Sequence, residues 1–225
     1  MIFDWLKKRK EDPENSPEFW KAYLKNFEEK LPEEISDVRF VVLDTETTGF
    51  SYDNDRMLCI GAVSVCNNKI DMGDNFEVYI KQERFDPESV KIHGIIRNEK
   101  ISTLTEEEAV KQFLKYIENS ILVAHHASFD ITMINRALKR LEVPKLKNKV
   151  LDTEVLYRRT KILSNLIDRN KRYSLDDIAE AYTIDVTDRH TAAGDAFITA
   201  IAFLKILGRL KQKEKLTPAG LVKIK

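Results

Sequence analysis

VVLDTETTGF, Val41 to Phe50, carries the strongest structural signal in the chain. The run leading into it, Val38 to Leu43, is apolar and β-branched, interrupted by Arg39 and Phe40, and predicts a buried strand. Two carboxylates, Asp44 and Glu46, stand where that strand ends. Side chains alternate faces along a strand, so a strand that runs through residue 46 projects both acids side by side. Thr47-Thr48-Gly49 then breaks the strand and offers backbone N–H groups and hydroxyls. Like charges held together are costly unless something positive lies between them. A divalent cation that favours hard oxygen ligands, Mg²⁺ or Mn²⁺, is the simplest remedy. An isolated D-x-E pair reads equally well as two solvated loop residues, so the decision falls to the rest of the chain.

The 225 residues, 43% of them hydrophobic, suffice for a domain with a real core. Basic and acidic side chains number 37 each, so a whole-protein basic field is excluded and any polyanion must be met by a local patch. Cys59 and Cys66 fall on a predicted strand pair. They read as small buried side chains in a reducing compartment, neither a disulfide nor a metal site. No apolar run approaches a membrane span. MIFDWLKKRK places its charges after a very short apolar patch, the reverse of a secretory signal. Together these features predict a cytoplasmic protein with no membrane partner.

Ser16-Pro17-Glu18 predicts a helix start, and Phe19, Trp20, Tyr23, Leu24, Phe27 and Leu31 follow at helical spacing. This aromatic face either packs on the main domain or docks a partner. From Val38 the pattern predicts a meander: the first strand, a second over 58–65, a turn at Asn67-Asn68 and a third over 76–80. A capping box at Thr105 to Glu108 opens a helix to about Glu118. Short strands over 122–124 and 149–151 flank a helix from about Asp130 to Leu141. Ser174 and Asp177 cap a short helix, and a long one runs from about Thr191 to Leu207. The basic segment from Lys211 to Lys225 reads as a loosely attached tail. Strands followed by alternating helices and strands predict a mixed α/β fold.

Two more acids stand in telling places. Asp130 follows the strand-like LVAHH at a helix start, and Asp195 lies in the first turns of the last helix, five residues after His190. Each alone reads as a helix-terminal or exposed charge. Asp195, however, sits among small residues, Ala192-Ala193-Gly194-Asp195-Ala196, which allow close backbone approach and predict a buried carboxylate.

Taken together, these residues resemble the DEDD superfamily of 3′–5′ exonucleases, in the subgroup with a catalytic histidine, which includes the epsilon proofreading subunits of bacterial DNA polymerase III and ribonuclease T. The family's D-x-E-T-T-G motif is matched by Asp44 to Gly49. Its A-H-N-A-x-F-D motif is matched by Ala124 to Asp130, with His126 where asparagine is usual. Its H-x-A-x-x-D-A motif is matched by His190 to Ala196, and its H-G-I loop by His93-Gly94-Ile95. The resemblance covers roughly Val38 to Gly208. It implies a ribonuclease H-like mixed five-stranded sheet flanked by helices. An N-terminal helical extension (1–36) would precede an exonuclease domain (37–210) and a basic C-terminal tail (211–225).

The resemblance also implies two Mg²⁺ ions, replaceable by Mn²⁺. Asp44 would bridge them, Glu46 and Asp195 would complete the site of one, and Asp130 would serve the other. His190, neutral near pH 7, would be the general base. Thr47, Thr48 and Gly49 would hold the terminal nucleotide, His93 and Ile95 would close over it, and Phe129 would pack nearby. Asp152 resembles a family position outside the cluster and reads as a helix cap. Arg158, Arg159, Lys161, Arg169, Lys171 and Arg172 form a candidate backbone track or a solvated charged face. The expected partner is the 3′ end of single-stranded nucleic acid, DNA in the first reading. The same chemistry on RNA, of ribonuclease T type, and a catalytically silent polymerase- or nucleic-acid-binding module are the alternatives.

Overall fold

A computed structural model of the chain describes residues 16–82, 102–161 and 171–224. Expectations for the 91–96 loop with His93 and Ile95, and for Arg169, fall outside these residues. The first half contains α1 (Glu18–Lys25), β1 (Phe40–Thr47), β2 (Met57–Cys66), β3 (Lys69–Ile80), β4 (Thr103–Leu104) and α2 (Glu106–Ile117). There follow β5 (Ile121–Ala124), α3 (Ser128–Arg140), β6 (Val150–Asp152), α4 (Thr153–Lys161), α5 (Leu175–Tyr182), α6 (Ala192–Lys211) and α7 (Pro218–Val222).

β1 lies inside a mixed six-stranded sheet of order β4-β3-β2-β1-β5-β6. It pairs antiparallel with β2 and parallel with β5, and the expected strand through residue 46 is present. The sheet is the ribonuclease H-like arrangement expected from the sequence, with the two-residue β4 as a sixth strand beside Tyr79 and Ile80. Alternation along β1 divides the core in two. Phe40 and Val42 join the cluster that contains Ile198, Phe203 and Ile206 of α6. Val41 and Leu43 join the cluster that contains Phe113 of α2, Met133 of α3 and Trp20 of α1. The even-numbered face of β1, which continues into Asp44 and Glu46, is therefore the face covered by the long helix.

Local chemistry explains the boundaries. Both predicted capping boxes form: Thr105 with Glu108 opens α2, and Ser174 with Asp177 opens α5. Asn67 and Asn68 both adopt positive φ, the backbone that a two-residue hairpin turn requires. Three expectations need correction. β3 starts at Lys69, well before residue 76, because the tight asparagine turn restarts pairing at once. α1 ends at Lys25 and gives way to a short 3-10 turn, with Pro17 at its cap position, so Leu31 lies beyond the helix and is exposed. Cys59 and Cys66 lie on one strand, β2, and not on a strand pair, and Cys66 is only half-buried, while both are free thiols as expected.

The described segments on either side of the sheet domain, α1 and α7, are also tied down. Trp20 and Tyr23 of α1 are buried, and the Tyr23 hydroxyl donates to Asn148 Oδ1 at 2.6 Å while accepting from Lys147 N–H at 2.8 Å. The loose tail is overturned: Thr217 caps α7, Leu221 is fully buried, and Leu216, Val222 and Ile224 pack on the α6 cluster. Among the described residues, no helix is long and apolar enough to cross a membrane. Truncation of a fully buried leucine costs about 2–5 kcal/mol. Leu221→Ala should therefore lower the urea midpoint with an unchanged m-value, whereas a loosely attached tail would leave the midpoint where it is.

Candidate active site

Asp44 and Glu46 project from the last residues of β1 toward the start of α6. In the β1–β2 ladder Asp44 lies opposite Gly61. A Cβ at Gly61 would lie 2.2 Å from the carbonyl carbon of Ala192, so the first turn of α6 rests on bare backbone there. That approach carries Asp195, one turn into the helix, down to the strand end. Carboxylate oxygens of Asp44, Glu46 and Asp195 all lie within 4.8 Å of one another. Gly61, the one glycine in a largely apolar strand, is a site-shaping residue that the motifs do not mark.

Asp130 enters from the other side, in the first turn of α3. It is buried, and its Oδ1 accepts from the Thr45 N–H at 2.9 Å and the Thr45 hydroxyl at 2.7 Å. Asp152 fixes the turn that leads to it, accepting from the N–H groups of Ala127 (3.0 Å) and His126 (3.3 Å). Asp152 also accepts from Glu154 N–H at 2.9 Å, at the start of α4. It thus caps the helix, as its place in the sequence implied, and ties the second motif to the end of β6.

The charges in the cluster oppose each other. Burial, followed by the negative charges of Asp195 and Asp130, raises the Glu46 carboxyl to about 7, against a partial offset from Arg189. Asp44 is held well above the usual carboxylate range by burial and then by Asp130, Asp195 and Glu46. Burial also raises Asp130, and the Thr45 hydrogen bonds oppose that rise. Three carboxylates that supply only oxygen, with their charges forced together, fit a hard divalent cation of the Mg²⁺ or Mn²⁺ kind.

The remaining predicted residues fall around this centre. His190 is exposed on the loop before α6, with φ of 68°, and its N–H donates to Asp195 Oδ2 at 3.3 Å. The guanidinium of Arg189 donates to Asp195 Oδ1 at 2.5 Å and to Asp176 Oδ1 at 2.7 Å, a link the sequence reading did not foresee. Thr47 donates its hydroxyl to Gly49 C=O, and Thr48 donates to buried Asp55, so both side chains shape the turn. Phe129 is grouped with Phe50 and Tyr52, at centroid distances of 5.9 and 5.7 Å. Phe50 is 79% exposed, so this aromatic group is open to solvent on one side. Its only signal in the sequence is an aromatic directly after the first motif.

His126 takes a left-handed backbone, and its Nε2 is 3.8 Å from Glu154 Oε2. Its ring lies 4.2 Å from that of His125, whose pKa burial and His126 push down to about 4. In the candidate basic track, Arg158 pairs with Glu154 at 3.6 Å and Arg159 with Glu214 at 3.4 Å. Lys161 and Lys171 lie over the rings of Tyr157 and Tyr173.

This fold and acid cluster define a nuclease-type hydrolase site, and comparison with known proteins supplies the class. Residues 41–203 match the family described as "Exonuclease", of ribonuclease T type, so the chain belongs to this exonuclease family. The family match agrees with the DEDD 3′–5′ exonuclease that the three motifs resemble. The DNA polymerase III epsilon subunit of Salmonella typhimurium is 37% identical over 182 residues, covering 76% of this chain and 72% of that protein. The PolC-type DNA polymerase III of Caldanaerobacter subterraneus subsp. tengcongensis is 36% identical over 174 residues, which cover 77% of this chain. This chain spans only 12% of the length of that polymerase. In fold, it is similar to Exonuclease X in complex with 5′ overhanging duplex DNA, with TM-score 0.60 and 22% identity over 83% of this chain and 98% of that one.

The raised carboxyls give the metal-free protein a definite pH response. A carboxyl whose pKa rises on folding stabilises the fold while protonated and loses that contribution as pH climbs through the folded value. For Glu46 the loss runs from 4.5 up to about 7. His125 has the opposite sign, costing stability as pH falls from 6.5 toward about 4, and it is not relieved by a cation at the cluster. Mn²⁺ at about a hundred times its Kd should add about 2.7 kcal/mol of stability near neutral pH. The corresponding Tm gain should shrink steadily toward about pH 5 as protons take its place. A Tm gain that is independent of pH would separate the cation from these carboxylates.

Proposed function

We propose that this chain is a divalent-metal-dependent 3′–5′ exonuclease that acts on single-stranded DNA ends and releases nucleoside 5′-monophosphates. The observation that carries the proposal is the meeting of Asp44, Glu46 and Asp195 within 4.8 Å, from segments 150 residues apart in sequence, in a chain of the exonuclease family. DNA is favoured over RNA because the sequence relatives are named as DNA polymerase III proteins and Exonuclease X is seen with DNA.

Asp44, Glu46, Asp195 and Asp130 would hold two Mg²⁺ ions, or Mn²⁺ in their place. When bound, such ions lower the pKa of water and offset charge that builds on a phosphate. The protein's own residues do the rest. Asp44 and Glu46 are fixed by the strand, so their oxygens need no rearrangement when substrate arrives. His190 is exposed, with its backbone N–H on Asp195, and its ring would accept the proton of the attacking water as the new P–O bond forms. The bond to the leaving 3′-oxygen breaks; that oxygen takes a proton from water and stays on the shortened strand as its new 3′-hydroxyl, while the phosphate leaves on the mononucleotide. Phe50, Tyr52 and Phe129 offer ring faces for bases near the end, and Thr47 to Gly49 present backbone beside them.

A polymerase or repair partner at the N-terminal extension would have to meet the outer side of α1, since Trp20 and Tyr23 are turned into the core. The domain would then be residues 37–210, served from both ends by packed helices, in a cytoplasmic DNA-processing enzyme.

Digestion of 5′-labelled DNA and RNA strands of one sequence tests this reading. Mn²⁺ or Mg²⁺ should give a ladder that shortens from the 3′ end, faster on DNA, and EDTA should abolish it. His190→Ala should reduce kcat about 10²–10⁴-fold while it keeps the metal-induced rise in Tm, whereas Asp44→Asn should lose both. Internal cuts, or a ladder that survives Asp44→Asn, would overturn the proposal.

A further inference from the structure

We infer that Arg189 is a built-in counter-cation: it holds the Asp195 carboxylate while the cluster is free of metal, and yields it to an arriving divalent cation by withdrawing onto Asp176. The inference rests on the divalent-cation reading of the cluster above.

The geometry is that of a side chain shared between two acids. A guanidinium presents its donors in a fixed planar fork. Nη1 points inward to Asp195 Oδ1, while Nε and Nη2 point outward to Asp176 Oδ1 and Oδ2, at 2.7 and 3.4 Å. The two partners differ in setting. The Asp195 side chain is 9% exposed and sits among like charges, whereas the Asp176 side chain is 65% exposed at the start of α5. Asp176 is not occupied in capping that helix, because Ser174 and Asp177 do so between themselves. It is therefore available as the sole partner of Arg189.

Charge decides which partner is kept. Without metal, Asp44, Glu46 and Asp195 face each other across less than 4.8 Å, and Arg189 supplies a compensating positive charge. A divalent cation among those oxygens places a larger charge of the same sign as the guanidinium beside Nη1. Repulsion between them, acting where little water intervenes, favours release of Asp195. Asp176 keeps the guanidinium paired throughout, so the arginine is never left buried and alone. The peptide of His190, which follows Arg189, donates to the other oxygen of the same carboxylate.

The test is Mn²⁺ titration by calorimetry, with thermal melting in chelator, on wild type, Arg189→Gln, Asp176→Asn and the double variant. Arg189→Gln should melt lower than wild type in chelator yet bind Mn²⁺ more tightly, on the order of tenfold. Asp176→Asn, at an exposed position that tolerates the change, should bind Mn²⁺ several-fold more weakly, because displaced Arg189 has no second partner. In the double variant the Asp176 effect should vanish, which separates handover from a general loss of negative field. Weaker Mn²⁺ binding by Arg189→Gln would make the arginine a positioning residue and overturn the inference. Should that variant fail to fold, unchanged or tighter binding by Asp176→Asn overturns it alone. Wild type that binds no Mn²⁺ overturns the metal reading and this inference together. Wild type that binds while the variants move the wrong way overturns this inference only.

Discussion

The approach of α6 to the sheet is the constraint on which the site depends. Asp44 and Glu46 are placed by β1, a strand buried on both faces and paired on both edges, so they cannot move to meet a partner. Asp195 has to be brought to them. Gly61 makes that possible by leaving the sheet surface bare opposite Asp44, where any side chain would run into Ala192. Gly194 performs the same service one turn along: a Cβ there would lie 1.9 Å from the carbonyl oxygen of Asp188, so the loop that carries Arg189 and His190 can fold against the helix. Two absent side chains, on two elements far apart in sequence, set the spacing of the acids.

That spacing has an electrostatic consequence that runs through the whole centre. Burial and mutual repulsion push Asp44 and Glu46 toward protonation, a cost to the fold with no return unless a cation is held there. Neutral hydrogen bonds from Thr45 soften the cost at Asp130, and Arg189 softens it at Asp195. The surrounding structure is correspondingly firm. Asp152 clamps the turn before α3, Asp55 clamps the turn after β1, and Tyr23 ties α1 to the loop before β6. Rigid placement is what allows like charges to stay close.

Much of this was legible in the sequence, for a physical reason. The alternation of β1, the capping boxes at Thr105 and Ser174, and the small-residue run around Asp195 are local patterns, and local patterns are written in consecutive residues. The four acids and His190 could be picked out because their motifs have fixed internal spacing. What the sequence concealed is contact between distant segments. Nothing near Gly61 announces Ala192, and nothing near Arg189 announces Asp176. The C-terminal segment looked loose because its charges outnumber its apolar residues. Yet Leu221, with Leu216, Val222 and Ile224 around a capped short helix, docks it on the α6 cluster. The aromatic face of α1 was visible by its period, but only the tertiary structure shows that it is spent on the core.

Diffraction from crystals grown with Mn²⁺, recorded at a wavelength where manganese scatters anomalously, addresses the carboxylate cluster most directly. The predicted result is an anomalous peak bounded by the oxygens of Asp44, Glu46 and Asp195, with the Arg189 guanidinium drawn toward Asp176. Manganese seen only elsewhere on the protein, with the three carboxylates still closed on one another, would contradict it.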